Sequence, residues 1–135
     1  MTKEEKKLLF VDLCGRLPYG VKCKVWLKDK TTEEGVLDIS HNYGDVLLDF
    51  FFYRKIEDLK PYLRPMSSMT EEEVKEFYDV EYIDAKVGYI KPTWNWHFTI
   101  NGIDWLNSHH FDYRGLIEKG LALEAPKDMY NNKTK

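Results

Sequence analysis

Hydrophobic and polar residues alternate with a helical spacing at the start of the chain. Thr2 and Glu5 have the T-x-x-E spacing of a capping box, in which the Thr hydroxyl and the Glu carboxylate each satisfy the other's free backbone N–H group. A stripe of leucines follows on one face of the expected helix. The pattern predicts a helix over residues 3–15, which ends at Gly15 before Pro18.

The next segment changes to the period of two that is typical of a half-buried strand. Residues 21–27 alternate apolar side chains with Lys22, Lys24 and Trp26. The elements predicted to follow are a polar loop over 29–35, strands over 36–40 and 46–53, and a turn over 41–45 between them. Together they predict a small curled antiparallel sheet of SH3-like type.

The second half of the chain mixes helical and strand patterns. Thr70 and Glu73 form a second T-x-x-E motif, and the glutamates of this first turn predict a helix over 71–79. Asp112 is expected to cap a last helix that ends at Gly120. The other predicted elements are strands over 85–91 and 94–100, a short helix over 103–107 and the last helix over 113–119.

Length and composition place these elements in one α+β domain. The chain has 135 residues, 43% of them hydrophobic and 15% aromatic, which suffices for a core without disulfides or metal. We expect an N-terminal helix and the small SH3-like sheet, then a helix, further strands and two short C-terminal helices. This domain is predicted to cover 1–125, and 126–135 is predicted to be a polar tail that frays.

Charge and targeting features exclude several classes of protein. The 20 basic and 23 acidic residues give a net charge of −3, so no long nucleic acid is expected as a partner. No apolar run approaches the roughly 20 residues that span a bilayer, and no signal peptide is predicted. Cys14 and Cys23 lack the spacing of a metal site, and we expect both to be reduced. These features predict a cytoplasmic protein that needs no cofactor and does not bind membranes.

Three stretches of the chain carry a resemblance to a known family. They are KPYLRPMSSMTEEE at 60–73, IDWLNSHHFDYRGLIEKGLALEA at 103–125 and the shorter DLCGRLPYGV at 12–21. In these stretches the chain resembles a family of short uncharacterised proteins from gut-dwelling bacteria, their phages and integrated mobile elements. The resemblance implies the setting of a mobile-element accessory protein, and it implies no activity and no catalytic residue.

A group of histidines and acids near the end of the chain could hold a metal ion. The candidate ligands are His97, His109, His110 and Asp112, and imidazoles and carboxylates suit zinc, iron or manganese. Adjacent histidines on a helix or strand point in different directions, so one ion rarely meets both. The favoured interpretation is structural: one histidine packs beside an aromatic ring, and Asp112 caps the last helix.

A second group combines cations with an aromatic ring. Lys22, Lys24 and Trp26 share one face of the first predicted strand, and with Arg64 they could contact the phosphates and the base of a nucleotide. The favoured alternative is that these lysines occupy the solvent-facing side of an edge strand, where they discourage aggregation. Trp94 and Trp96 could line a pocket or an interface, although core packing is the commoner role of such residues.

Three functions from different classes follow from these observations. The chain has no nucleophile elbow and no phosphate-binding glycine loop, which favours a non-enzymatic protein-binding or self-associating module. The second hypothesis is a small-ligand protein that sequesters nucleotide signals from host defence. The third is a metal-dependent hydrolase. We expect the partner to be another protein or a second copy of this chain, with a nucleotide as the alternative ligand.

Overall fold

The structure is a computed structural model, which describes residues 1–37, 58–86 and 98–130. The helices of these ranges are α1 (Lys3–Arg16), α2 (Glu71–Lys86) and α3 (Ile100–Ser108). Their strands are β1 (Val21–Trp26), β2 (Thr32–Leu37), β3 (Leu59–Pro65), β4 (Phe111–Asp112) and β5 (Leu123–Glu124). The described residues thus combine helices with strands, and the predicted α+β class is confirmed. None of the helices in these ranges is long and apolar enough to cross a membrane.

The capping box that opens α1 forms as the sequence predicts. The Glu5 N–H donates to the Thr2 hydroxyl at 3.0 Å, and the Thr2 N–H donates to the Glu5 carboxylate at 2.8 Å. The helix continues through Gly15 to Arg16, one residue beyond the predicted end. Gly15 faces Asn107 of α3, and a side chain there would lie 3.3 Å from the Asn107 amide nitrogen. The glycine therefore permits a close approach of the two helices.

The strands form a mixed sheet in the order β2-β1-β3-β4, and β5 also pairs with β3. β1 is antiparallel to both β2 and β3, which agrees with the predicted antiparallel pairing of this region. β4 and β5 are both parallel to β3. Over the described residues the sheet is mixed and is not closed into a barrel, so the predicted SH3-like architecture is not observed there.

The main core lies between α1 and the sheet. Burial of apolar side chains in this layer provides the main driving force for folding, at about 25 cal/mol per Å². Its buried members are Leu9, Leu13, Val21, Cys23, Leu37, Leu59, Leu63, Leu116, Leu121 and Ala122. Burial raises the pKa of Cys23 to about 12, so this thiol behaves as an apolar core group. Cys14 is a free, exposed cysteine.

A second apolar cluster joins α2, α3 and β4. Trp105, Leu106 and Phe111 form its buried centre, and the ring of Phe77 on α2 packs 5.4 Å from that of Trp105. At the start of α3 the buried Glu81 carboxylate accepts hydrogen bonds from the N–H and the hydroxyl of Thr99, each at 3.0 Å. This cluster places the end of α3 against β4, where the candidate site lies.

Several elements differ from the sequence-based predictions. β2 begins inside the predicted loop over 29–35, because its first residues pair with β1 despite their exposed, polar side chains. α2 extends to Lys86 and so takes the first residues of the strand predicted over 85–91. Thr99, the predicted end of a strand, is instead the N-cap of α3, since its side chain accepts from the Gly102 N–H at 3.0 Å.

The last predicted helix is replaced by turns. Residues 113–122 contain turns and no helix, although both Asp112 carboxylate oxygens accept backbone N–H groups, as a capping residue would. Gly120 has a φ of 75°, the conformation that a chain-reversing glycine supplies. The predicted strand over 46–53, the turn over 41–45 and the parts of 36–40, 85–91 and 94–100 that fall in 38–57 or 87–97 lie outside the described residues.

Candidate functional site

The structure brings several of the candidate residues to one end of the sheet. His109 and His110 follow α3, Asp112 lies in β4, and Arg64 lies in β3 beside β4. Lys22, Lys24 and Trp26 lie along β1. His97, Trp94 and Trp96 lie outside the described residues.

A cleft of about 670 Å³ opens between the end of β3, the end of α3 and the segment that follows β5. Its lining carries charges of both signs together with hydroxyl and imidazole groups. The lining residues are Arg64, Pro65, Ser68, Thr70, Glu73, Ser108, His109, His110, Glu124, Ala125, Pro126, Lys127, Asp128 and Tyr130. A volume of this size lies in the range of small-ligand and short-peptide sites.

His110 forms part of the wall of this cleft and has an unusual backbone conformation. Its φ of 66° lies in the left-handed region, where the chain reverses between α3 and β4. Its carbonyl accepts from the Arg64 N–H at 2.7 Å, and its ring stacks on that of Tyr130 with centroids 3.7 Å apart. Burial, with the charges of nearby cations, lowers the pKa of His110 to about 4, so its imidazole is neutral at pH 7.

Tyr130 fastens the end of the described chain to the sheet. Its hydroxyl accepts from the Lys22 N–H at 2.9 Å and donates to the Tyr62 carbonyl at 2.7 Å, so it bridges β1 and β3. The Lys22 ammonium donates to the Met129 carbonyl at 2.9 Å. Burial raises the pKa of Tyr130. The segment expected to fray from residue 126 therefore forms one wall of the cleft as far as residue 130.

Arg64 and Glu73 form the opposite wall. The Arg64 guanidinium donates two hydrogen bonds to the Glu73 carboxylate, at 2.8 and 2.7 Å. Glu73 also closes the second capping box with Thr70, as its sequence motif predicts. Burial by itself raises the pKa of Glu73, but the hydrogen bonds from Arg64 and Thr70 outweigh it and lower the pKa to about 2. Arg64 is thus held in place by a carboxylate that stays ionised.

A buried network of charged side chains joins α1 to β4 at this end of the sheet. Asp12 and Arg16 of α1 are fully buried and paired, with the guanidinium Nε 2.7 Å from the carboxylate. Arg114 reaches the same carboxylate at 3.1 Å. Arg16 also donates to the Phe111 carbonyl at 2.7 Å, which ties α1 to β4. The sequence analysis did not identify this pair.

The candidate metal ligands have other partners. The His109 Nδ1 lies 2.9 Å from the Trp105 carbonyl, and its ring stacks on the Trp105 indole at 3.9 Å. Both Asp112 oxygens accept the N–H groups of Leu116 and Ile117, at 2.8 and 2.9 Å. Within the ranges that the structure describes, no three His, Cys, Asp or Glu side chains are grouped so as to hold a metal ion.

Lys24 of β1 and Lys60 of β3 lie near the ring of Trp26 on one face of the sheet. The Lys24 ammonium lies 5.6 Å from the centroid of the Trp26 ring, and the Lys60 ammonium lies 5.8 Å from it. Lys60 of β3 is the register partner of Lys24, a neighbour that the sequence analysis did not predict. Lys24, Trp26 and Lys60 do not line the cleft, so this face is a separate candidate site. Lys22, also on β1, contacts the segment of the cleft wall through the Met129 carbonyl.

Comparisons with protein-family models, with curated proteins and with solved structures find no match.

Proposed function

We propose that this protein is a non-enzymatic binding module, of the mobile-element accessory type that its sequence resemblance implies, and that the cleft holds a short polar segment of a partner protein. The observation that carries the proposal is the cleft itself, with Arg64 and Lys127 among acidic and hydroxyl side chains. Peptides offer charges of both signs as well as backbone donors and acceptors. A lining with both signs of charge is complementary to such a ligand.

The rigidity of the cleft walls supports a binding role. The guanidinium of Arg64 is fixed by Glu73 on one wall, and Tyr130 bridges two strands on the other. A preformed site spends little free energy on ordering its own side chains when a ligand binds. Carboxylates could serve as acids or bases in catalysis, but those of Asp12 and Asp112 instead accept hydrogen bonds within the fold.

The proposal is tested by selecting short random peptides on tag-free protein and measuring their affinities. Ser68 and Ser67 are adjacent exposed residues, but only Ser68 lines the cleft. A tryptophan at Ser68 fills part of the cleft, whereas the same change at Ser67 leaves it open. We expect selected peptides to lose at least about tenfold in affinity with Ser68→Trp and little with Ser67→Trp. Equal affinity for both variants, or no enrichment of any peptide, would contradict the proposal.

A second candidate function is the binding of a small anionic ligand with an aromatic ring, such as a nucleotide. It is favoured by the face on which Lys24 and Lys60 flank Trp26. Lys24 lies between Lys60 of β3 and Glu34 of β2, so one of the two positive charges is balanced within the sheet and the other is available to an anion. A thermal-shift panel of cyclic and linear nucleotides tests this candidate, with Lys24→Gln as the site variant and the exposed Lys7→Gln of α1 as its control.

A further inference from the structure

Two buried polar atoms lack partners among the described residues, one on His110 in the cleft wall and one on Arg16 of α1. They are Nη1 of Arg16 and Nδ1 of His110, both shielded from solvent and without a hydrogen bond from any of the described residues. We call the part of the cleft at His110 its inner end. The other terminal nitrogen of Arg16 donates to the carbonyl of Phe111, the residue after His110. Burying a polar group without a partner is costly, so an atom of this kind often marks a place where something else binds.

Positive charges converge on this place. The Arg64 guanidinium lies 4.1 Å from the centroid of the Phe111 ring, and the Lys22 ammonium lies 5.7 Å from that of Tyr130, which stacks on His110. After burial, the charges that lower the pKa of His110 are those of Arg16, His109, Arg64 and Lys22. Three of these residues, Arg16, Arg64 and Lys22, carry a positive charge, so the local electrostatic potential at His110 favours an anion.

The neighbouring carboxylates balance only part of this charge. Asp12 is shared by two arginines, Arg16 and Arg114. Lys22 donates to a backbone carbonyl, which carries no net charge. With the second carboxylate, Glu73 on Arg64, these contacts set two acids against Arg16, Arg114, Arg64 and Lys22. The rest of the cleft lining adds Glu124, Asp128 and Lys127, so the excess of positive charge is local to His110.

We propose that the inner end of the cleft is a subsite for one oxyanion group of the ligand, a carboxylate or a phosphate, held by Arg16 and a protonated His110. The inference rests on the proposed function, since it assigns the cleft as the binding site. An oxyanion there supplies an acceptor for the free Arg16 nitrogen and stabilises the His110 imidazolium. The ring of Tyr130 stacks on that of His110 and so forms one side of this subsite.

The first test is thermal unfolding of the full chain at pH 6 in inorganic phosphate or acetate, against chloride at equal ionic strength. We expect a saturable rise in Tm with at least one of the two anions, about 5 °C at ten times its Kd. The anion that binds more tightly identifies the group as phosphate or carboxylate. His110→Asn removes the rise, and His109→Asn, whose ring stacks on Trp105 instead, retains it. Asn tolerates the left-handed backbone of position 110.

The second test uses the unmodified protein, so it does not depend on the stability of a variant. The pH midpoint of the His110 ring is followed by NMR with and without the anion. We expect the bound anion to raise this midpoint from about 4 towards the ordinary value for histidine. An unchanged midpoint together with no saturable rise in Tm would overturn the subsite. If peptides still bind in the Ser68 test, the cleft itself remains the binding site.

Discussion

Substitution of Asp12 by Asn gives a sharp test of the buried network on which β4 rests. The carboxylate accepts three hydrogen bonds from Arg16 and Arg114, between 2.7 and 3.1 Å. The change removes the negative charge and leaves the guanidinium of Arg16 buried without it. Breaking one partner of a buried ion pair typically costs about 3–5 kcal/mol, because the other charge stays uncompensated. We expect Asp12→Asn to lower the free energy of unfolding by that amount.

Urea unfolding followed by tryptophan fluorescence measures this loss. With a denaturant slope of about 2 kcal/mol per M, a loss of about 4 kcal/mol moves the midpoint down by about 2 M. Asp79→Asn is the matched control, since Asp79 is exposed on α2 and its loss is expected to stay within about 0.5 kcal/mol. A loss for Asp12→Asn of less than about 1 kcal/mol would refute the assignment of this network as a structural support.

Two further predictions concern the cleft walls. Tyr130→Phe removes the hydroxyl that joins the Lys22 N–H of β1 to the Tyr62 carbonyl of β3, and the loss of these two hydrogen bonds is expected to cost about 1–3 kcal/mol in urea unfolding. The same change at Tyr78, which is 67% exposed, should have almost no effect. Stability should fall as pH drops from 6.5 to about 4, because unfolded His110 binds a proton that the native state excludes. It should fall again between pH 4.5 and about 2, as ionised Glu73 is protonated. Urea midpoints that stay constant from pH 7 to 4 would contradict the first step, which should also vanish in His110→Asn.

Local sequence motifs predicted some elements well. Both capping boxes, at Thr2 and at Thr70, form as predicted, since each depends on residues only three positions apart. The alternation that begins at Val21 correctly predicted β1. These features are set by short-range backbone geometry, which the order of residues determines directly.

Elements fixed by distant partners could not be predicted in this way. β3 contains Pro61 and Pro65, which lack the N–H group of a regular strand, and pairing with β1, β4 and β5 makes it a strand nonetheless. Residues 113–119 have a capping Asp and a terminal glycine, yet packing of this segment on the core favours turns.

The cleft itself depends on contacts across most of the chain. The bond of Tyr130 to β1 spans 108 positions, and that of Arg16 to β4 spans 95. No periodicity or motif near Tyr130 indicates that this residue closes the wall. The i, i+4 spacing of Asp12 and Arg16 was visible in the sequence, but burial, which gives the pair its importance, is a property of the fold.

The most direct measurement of the central claim is the map of amide chemical-shift changes when a selected peptide is titrated into isotope-labelled protein. The binding account predicts that the largest changes fall on the cleft segments, residues 64–73, 108–110 and 124–130. It also predicts that these changes are absent in Ser68→Trp and present in Ser67→Trp. Changes centred on Lys24 and Trp26, with the cleft amides unmoved, would contradict the account and assign binding to the sheet face.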